Sequence, residues 1–234
     1  MHATAPHTVT KGVDLRKIDR LAALAFRNAL RLHFDSIILF NNKSYPSAFF
    51  LSILALEELG KVFILDDFLW HSKVNGRFND IQDEELRKEF GSDLEAAFLK
   101  RIFQHHHKQQ KFAYVTDGPL PSTKFFEQLC KGDFEIVKQN AVYAGLARKK
   151  GGIDLKSRIK NPLKIDHPKA QRQITLLNDT FQWIVLSNIK QAYFELDTDS
   201  VNRLMTRALL RKLKSKWRNV GRKTATLLRK LKGL

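Results

Sequence analysis

The chain of 234 residues contains a single cysteine, Cys130. An internal disulfide and a cysteine-based zinc site are therefore excluded, and the composition fits a reducing compartment. The first twelve residues, MHATAPHTVTKG, lack the apolar region of a secretory signal. The apolar run at 48–56 is too short to span a bilayer. Together these absences predict a cytoplasmic protein.

Acidic residues are absent from the end of the chain. Residues 201–234 contain 12 Lys and Arg and no Asp or Glu, whereas the other residues contain 29 basic and 24 acidic side chains. The formal net charge of +17 therefore resides mainly in this tail. Such an excess favours a polyanionic partner, either nucleic acid or an anionic membrane surface.

Strand-like alternation and internal repeats are also missing, so we predict an all-α fold. The length allows one main hydrophobic core. We expect a flexible N-terminus at 1–14, a helical domain at 15–200 and a basic amphipathic extension at 201–234. The predicted helices cover residues 15–40, 46–69, 93–112, 122–130 and 134–149, a segment after Asp166, and a last helix that begins near 197–200.

The stretch Ser47–Lys61, SAFFLSILALEELGK, is the predicted centre of the fold. Apolar residues leave no wide polar stripe at helical spacing, so other helices should surround it. Its carboxylates, Glu57 and Glu58, need cations or a wet cleft, because burying an unpaired charge is costly. The third predicted helix, which contains RIFQHHHKQQK, offers such cations.

On one continuous helix Arg101, His105 and Lys108 would share a face. His107 and Lys111 would form a neighbouring pair. This basic face would complement a polar cluster on the central helix, formed by Glu57, Glu58 and Lys61. Alternatively, Glu57 to Lys61 pair along their own helix and the histidines lie on a solvated surface.

Histidine and arginine together could cleave RNA without a cofactor. A histidine can accept the proton of a ribose 2′-hydroxyl, and an arginine can stabilise charge that develops on the phosphate. A ferritin-like metal site is the other enzyme class, but it requires Glu-x-x-His. The chain has lysine at that position, in Glu58-Leu-Gly-Lys61, so we predict no metal site.

The last predicted helix is amphipathic. Its apolar stripe contains Met205, Leu209, Leu213 and Trp217, and it could pack on the bundle. RNA or a protein partner is favoured over a membrane surface, because the stripe has one Trp and no Phe. The candidate nucleic-acid-binding residues are Arg203, Arg207, Arg211, Lys212, Lys214, Lys216, Arg218, Arg222 and Lys223.

Three features carry a family resemblance. They are the segment LSILALEELGK, the preceding turn with Asn41, Asn42 and Tyr45, and the following HHHKQQKF. With these features the chain resembles the AbiV-type abortive-infection proteins, which belong to the HEPN group of helical domains. The resemblance covers roughly residues 15–195 in layout and leaves the basic tail unexplained.

The resemblance implies a helical bundle that often dimerises and a role in bacterial defence against phage. Many HEPN proteins are ribonucleases with an Arg-x(4 to 6)-His motif. Here Arg101 with His106 leaves four intervening residues, and Arg101 with His107 leaves five. Ile102 departs from the polar residue that commonly follows the arginine.

The sequence therefore predicts a homodimeric antiphage effector that cleaves RNA through Arg101 and one of His106 or His107. The supporting cluster would be Glu57, Glu58, Lys61, His105, Lys108 and Lys111. The alternative is a non-catalytic effector that binds RNA, the ribosome or a protein and arrests growth. A phage protein would be the trigger.

Overall fold

The computed structural model describes the backbone at residues 13–75, 84, 88, 93–115, 123–131, 134–149, 152–154, 156–157, 159–191 and 196–219. Within these ranges the helices are α1 (Leu15–Asn41), α2 (Tyr45–Asn75), α3 (Leu94–Leu99), α4 (His105–Val115), α5 (Thr123–Cys130), α6 (Phe134–Asn140), α7 (His167–Lys190), α8 (Asp199–Asn202) and α9 (Arg207–Lys216). The predicted helical fold is confirmed. One small antiparallel pair, β1 (Ala147–Lys149) with β2 (Gly152–Asp154), adds to it.

Helices α1 and α2 form the predicted antiparallel hairpin. The Asp14 carboxylate caps the start of α1 by accepting from the backbone N–H of Arg16. The turn after α1 contains Lys43 at φ 61°, a left-handed conformation that reverses the chain. Pro46 then lies in the first turn of α2, where its missing N–H costs little.

Helix α2 is the predicted centre of the core. Between residues 49 and 69 most of its apolar side chains are buried, on all sides of the helix, including Ile53, Leu56, Leu59, Phe63 and Phe68. Each fully buried Leu or Phe contributes about 1.5–3 kcal/mol to folding relative to exposure. This helix therefore fixes the positions of every polar group that it carries.

Helices α7 and α9 cover another part of the core. Asp166 caps α7 by accepting from the backbone N–H of Lys169, and the helix ends at Gln191 in a left-handed conformation. In α9 the buried residues Leu210 and Leu213 face the bundle, and Leu213 is fully inaccessible. The start of the basic tail is therefore packed against the domain.

Three predicted helices differ from the observed ones. Residues 93–112 do not form one helix, because a 3-10 turn at Lys100–Phe103 and an extended Gln104 separate α3 from α4. The helix predicted at 134–149 ends at Asn140, where two turn residues lead towards the β-ribbon. The last helix is interrupted by a turn between α8 and α9, where Thr206 caps α9.

Several expectations fall outside the described residues. They concern the flexible start of the chain, most of the segment 76–92, the turn at 116–121, and the tail from residue 220 onward with Arg222 and Lys223. Among the described helices, none combines the length and the apolar composition needed to cross a bilayer.

Candidate active site

The carboxylate of Glu57 is the centre of a buried polar cluster. Its side chain is only 2% exposed. The Oε2 atom lies 2.7 Å from His105 Nδ1, and Oε1 accepts from Gln109 Nε2 at 2.8 Å and from Lys138 Nζ at 3.1 Å. The partners that this carboxylate required are thus present, and they come from α4 and α6.

Helix α6 supplies two residues that the sequence analysis did not predict. Lys138 Nζ lies 2.5 Å from Glu135 Oε2 and 3.2 Å from His105 Nδ1, and its side chain is 7% exposed. From sequence, Glu135 and Lys138 form an ordinary i, i+3 pair of the kind found on helix surfaces. Only the tertiary packing against Glu57 distinguishes this pair, so local spacing could not identify it.

The electrostatics of the cluster follow from this arrangement. Burial alone would raise the pKa of the Glu135 carboxyl. The nearby Lys138 ammonium, the Gln139 amide and the charge of His105 outweigh burial and lower that pKa. Burial also lowers the pKa of Lys108, while the charge of Glu57 opposes this change. The surroundings therefore stabilise the ionised form of Glu135, whereas burial disfavours the ammonium form of Lys108.

Gly60 brings α2 and α4 together. A Cβ at this position would lie 2.0 Å from the carbonyl oxygen of Lys108, far inside the van der Waals limit. The absence of a side chain allows the two helices to cross closely, one turn after Glu57. Within one turn of α2, Glu57 therefore binds side chains of α4, and Gly60 allows the backbone of α4 to approach closely.

The break at Gln104 reorients the histidine segment. Leu94, Phe98 and Ile102 are buried at steps of four residues, so a continuous helix would next bury His106. Gln104 instead adopts an extended conformation, φ −96° and ψ 118°. His105 then faces Glu57, and His106 is exposed.

This break corrects one part of the sequence analysis. Arg101, His105 and Lys108 do not share the face of one helix, because Arg101 lies in the 3-10 turn before Gln104. The Arg101 guanidinium lies 5.2 Å from the ring centre of Phe98. The face that contacts Glu57 is formed by His105 and Gln109 at i, i+4.

The two predicted catalytic histidines, His106 and His107, lie in the first turn of α4. Their rings are 4.0 Å apart, centre to centre. His106 is exposed, whereas His107 is half-buried with Nδ1 3.3 Å from Gln110 Oε1. Both directly follow His105, the histidine that contacts Glu57.

Three other predicted cluster residues have partners of their own. Lys61 donates to Glu58 at 2.6 Å along α2, which is the local pairing that the sequence analysis left open as the alternative. Lys111 pairs with Asp67 of α2. Lys108 is buried, with 6% of the residue exposed. Lys111 therefore joins α4 to α2, whereas Lys61 pairs within α2.

One group in the described part of the chain has the composition of a metal site. Glu57, His105 and Glu135 offer ligand atoms within 4.8 Å of one another. The Lys138 ammonium lies 2.5–3.2 Å from all three side chains. This lysine therefore supplies positive charge at the place where the three side chains converge, and a metal ion would have to displace it.

The basic face of α9 is a separate feature. Arg207, Arg211 and Lys214 are exposed and follow one another at steps of four and three residues, and Arg218, just beyond the end of the helix, is also exposed. On the other side, Trp217 is buried and donates through Nε1 to Thr175 Oγ1 at 3.0 Å. Among the predicted nucleic-acid-binding residues, Arg203, Lys212 and Lys216 are also exposed, and Lys212 Nζ lies 4.4 Å from the ring centre of Phe34.

The fold is a set of helices packed around a central buried helix, with a His, Lys and Glu cluster formed by residues of α2, α4 and α6. The HEPN_AbiV family, described as AbiV, matches residues 17–183, and the chain belongs to this family. The match extends from α1 into α7 and includes the whole Glu57 cluster. Membership of the family indicates a role in abortive infection, that is, in antiphage defence. No curated protein and no solved structure shows significant similarity to the chain.

Proposed function

We propose that the protein is a cytoplasmic antiphage effector that arrests growth by cleaving RNA without a metal cofactor. The observation that carries this proposal is the placement of exposed imidazole groups beside a buried, charge-paired cluster in an AbiV-family chain. Imidazoles transfer protons near neutral pH, and RNA supplies its own nucleophile in the 2′-hydroxyl. No redox or covalent cofactor is required for this reaction.

In this proposal Arg101 stabilises charge on the phosphate, and His106 or His107 transfers a proton. Because Arg101 and the histidines lie on either side of the Gln104 break, small movements of the 3-10 turn would change their separation. A second copy of the chain would provide a second set of these groups. We therefore propose that the protein acts as a homodimer, that a phage protein triggers it, and that RNA or the ribosome is its target.

The direct test is incubation of purified protein with total RNA in EDTA. Cleavage by the wild type, but not by the variant with Arg101→Ala, His106→Ala and His107→Ala, supports the proposal. The same variant should lose toxicity and phage protection in cells. Full protection by this variant would refute the catalytic assignment, and cleavage that EDTA abolishes would indicate a metal-dependent reaction.

A non-catalytic effector is the second candidate, and the exposed basic face of α9 favours it. Phosphate contacts by Lys and Arg would bind RNA or ribosomes without cleaving them. Replacement of Arg207, Arg211 and Arg218 by Gln should weaken RNA binding and reduce the salt dependence by about one unit per lost contact.

A matched control removes three charges from another exposed surface. Arg16→Gln, Lys17→Gln and Arg20→Gln change the net charge equally but lie at the start of α1. RNA binding that falls equally in both triple variants would indicate a general charge effect and not a specific face. Flotation with anionic liposomes, without RNA binding, would instead identify a membrane surface as the partner.

A further inference from the structure

The geometry points to His105 as a general base in RNA cleavage, with Glu57 and Lys138 as the residues that position it. This inference rests on the proposed ribonuclease function. It adds a proton-transfer group that the Arg-x(4 to 6)-His spacing does not include, because only three residues separate Arg101 from His105.

The contact of Nδ1 with Glu57 determines which ring nitrogen of His105 carries the proton. His105 Nδ1 lies 2.7 Å from Glu57 Oε2, a carboxylate oxygen that can only accept when ionised. A neutral imidazole in this contact must therefore have its proton on Nδ1, which leaves a lone pair on Nε2. A carboxylate that holds the other nitrogen of a catalytic histidine performs the same task in serine hydrolases.

Lys138 Nζ lies 3.2 Å from the same Nδ1. Nδ1 cannot both donate to Glu57 and accept from Lys138. The ammonium has two carboxylates as acceptors, at 3.1 Å in Glu57 and 2.5 Å in Glu135. We therefore assign its contact with Nδ1 to proximity, and its role is to hold the Glu57 carboxylate in place.

The reactive nitrogen, Nε2 of His105, must also be accessible to substrate. The Glu57 side chain is 2% exposed, whereas that of His105 is 48% exposed. Because Nδ1 is directed at the buried carboxylate, the accessible part of the ring includes the opposite edge. Nε2 is on that edge, so a ribose hydroxyl can approach it from solvent while Glu57 and Lys138 remain buried.

The reaction then balances without a further reactant. Nε2 of His105 accepts the proton of the 2′-hydroxyl as the 2′-oxygen forms a bond to phosphorus. The bond from phosphorus to the 5′-oxygen breaks, and His106 or His107 donates a proton to that oxygen. The products are a 2′,3′-cyclic phosphate and a 5′-hydroxyl, and Glu57 stabilises the imidazolium that His105 becomes.

The first experiment measures cleavage by His105→Ala. General base catalysis contributes at least about 100-fold, so cleavage should fall by that factor, and added imidazole should restore part of it through the vacated site. A lost structural contact would not respond to imidazole. Asp35→Asn, in an exposed pair with Arg31, is the control and should cleave like the wild type.

The results distinguish the two proposals. If the wild type cleaves RNA and His105→Ala cleaves equally well, this inference is wrong and the ribonuclease function remains. If His105→Ala loses activity but imidazole restores none of it, His105 is structural and the inference is again wrong. If the wild type cleaves no RNA, the ribonuclease function fails and this inference fails with it.

A second experiment needs no activity and tests the positioning role. Nitrogen-15 chemical shifts of the wild-type His105 ring, recorded at a pH where the ring is neutral, should show a protonated Nδ1 and an unprotonated Nε2. Glu57→Gln should increase the fraction of the other tautomer, which has its proton on Nε2. Lys138→Met should produce a mixture of the two tautomers. A wild-type ring with its proton on Nε2 would overturn the inference.

Discussion

Gly60 of α2 crosses α4 at Lys108 so closely that an added Cβ would lie 2.0 Å from the Lys108 carbonyl oxygen. Gly60→Ala must therefore push the helices apart, and we expect it to lower the free energy of unfolding by about 3 kcal/mol. Chemical denaturation measures this loss. Gly145→Ala is the control, since a Cβ there meets no atom within 4 Å, and its unfolding free energy should stay within about 0.5 kcal/mol of the wild type.

The sequence alone predicted the helices around this crossing but only part of the Glu57 cluster. Hydrophobic periodicity predicted α1, α2 and their hairpin, because those helices bury wide apolar surfaces. The sequence analysis expected cations or a wet cleft around the Glu57 carboxylate and looked for the cations on the third helix. Spacing could not identify Lys138, because its partners lie 81 residues away in Glu57 and three residues away in Glu135, and only the latter is visible locally.

The break at Gln104 was missed for a related reason. Residues 93–112 contain no proline or glycine, so helical propensity favoured one continuous helix. The tertiary contact of His105 with Glu57 and the close crossing at Gly60 favour a reoriented chain instead. Tertiary packing here outweighs local propensity, and it also changes which histidine meets the buried carboxylate.

The pair Glu57 and Lys138 should be strongly coupled. Each single change, Glu57→Gln or Lys138→Met, leaves the other buried charge without one of its partners and should cost about 3 kcal/mol of unfolding free energy. The double variant should cost less than the sum of the two, with a coupling of about 1–3 kcal/mol. Urea unfolding of the four proteins gives this value.

An exposed ion pair provides the control for that cycle. Arg31 and Asp35 are 62% and 42% exposed and pair at i, i+4 on α1. Their coupling should be below about 1 kcal/mol, because solvent screens exposed pairs. Equal coupling in the two cycles would show that Lys138 contributes no more than a surface charge.

Asp66 should make stability depend on pH. Its carboxylate lies in a largely buried position and accepts from the N–H and the hydroxyl of Thr198 at 3.0 Å and 3.2 Å. Burial raises its pKa to about 7, although the Thr198 hydrogen bonds oppose this change. A folded-state pKa above the unfolded one favours folding at low pH, and this contribution disappears as the pH rises from about 4 through 7.

The matching measurement compares the wild type with Asp66→Asn across that range. At pH 8 the variant should be the more stable protein by at most about 4 kcal/mol, because each pKa unit is equivalent to about 1.4 kcal/mol. Near pH 4 the difference should vanish. Burial lowers the pKa of His33 to about 4, which gives an opposite slope, but His33 is common to both proteins and cancels. A constant difference at all pH values would contradict this role of Asp66.

Trp217 should anchor α9 to the domain. It is 4% exposed, its ring packs edge-on against Phe40 at 5.1 Å, and its Nε1 donates to Thr175. Trp217→Ala removes both the packing and the hydrogen bond, and should cost about 3–5 kcal/mol. Trp217→Phe retains a ring and should cost about 1 kcal/mol for the lost hydrogen bond.

Limited trypsin digestion reports this docking, because α9 contains many Lys and Arg residues. Cleavage within residues 207–218 should be fast in Trp217→Ala, intermediate in Trp217→Phe and slow in the wild type. Thr175→Val should match Trp217→Phe, and the two changes together should add little, since they remove the same hydrogen bond. Trp70→Phe, at a position that is 48% exposed, should not alter the digestion. If the wild type were cut in α9 as fast as Trp217→Ala, the basic face would not be held on the bundle, and its arginines would form a flexible polycation and not a fixed surface.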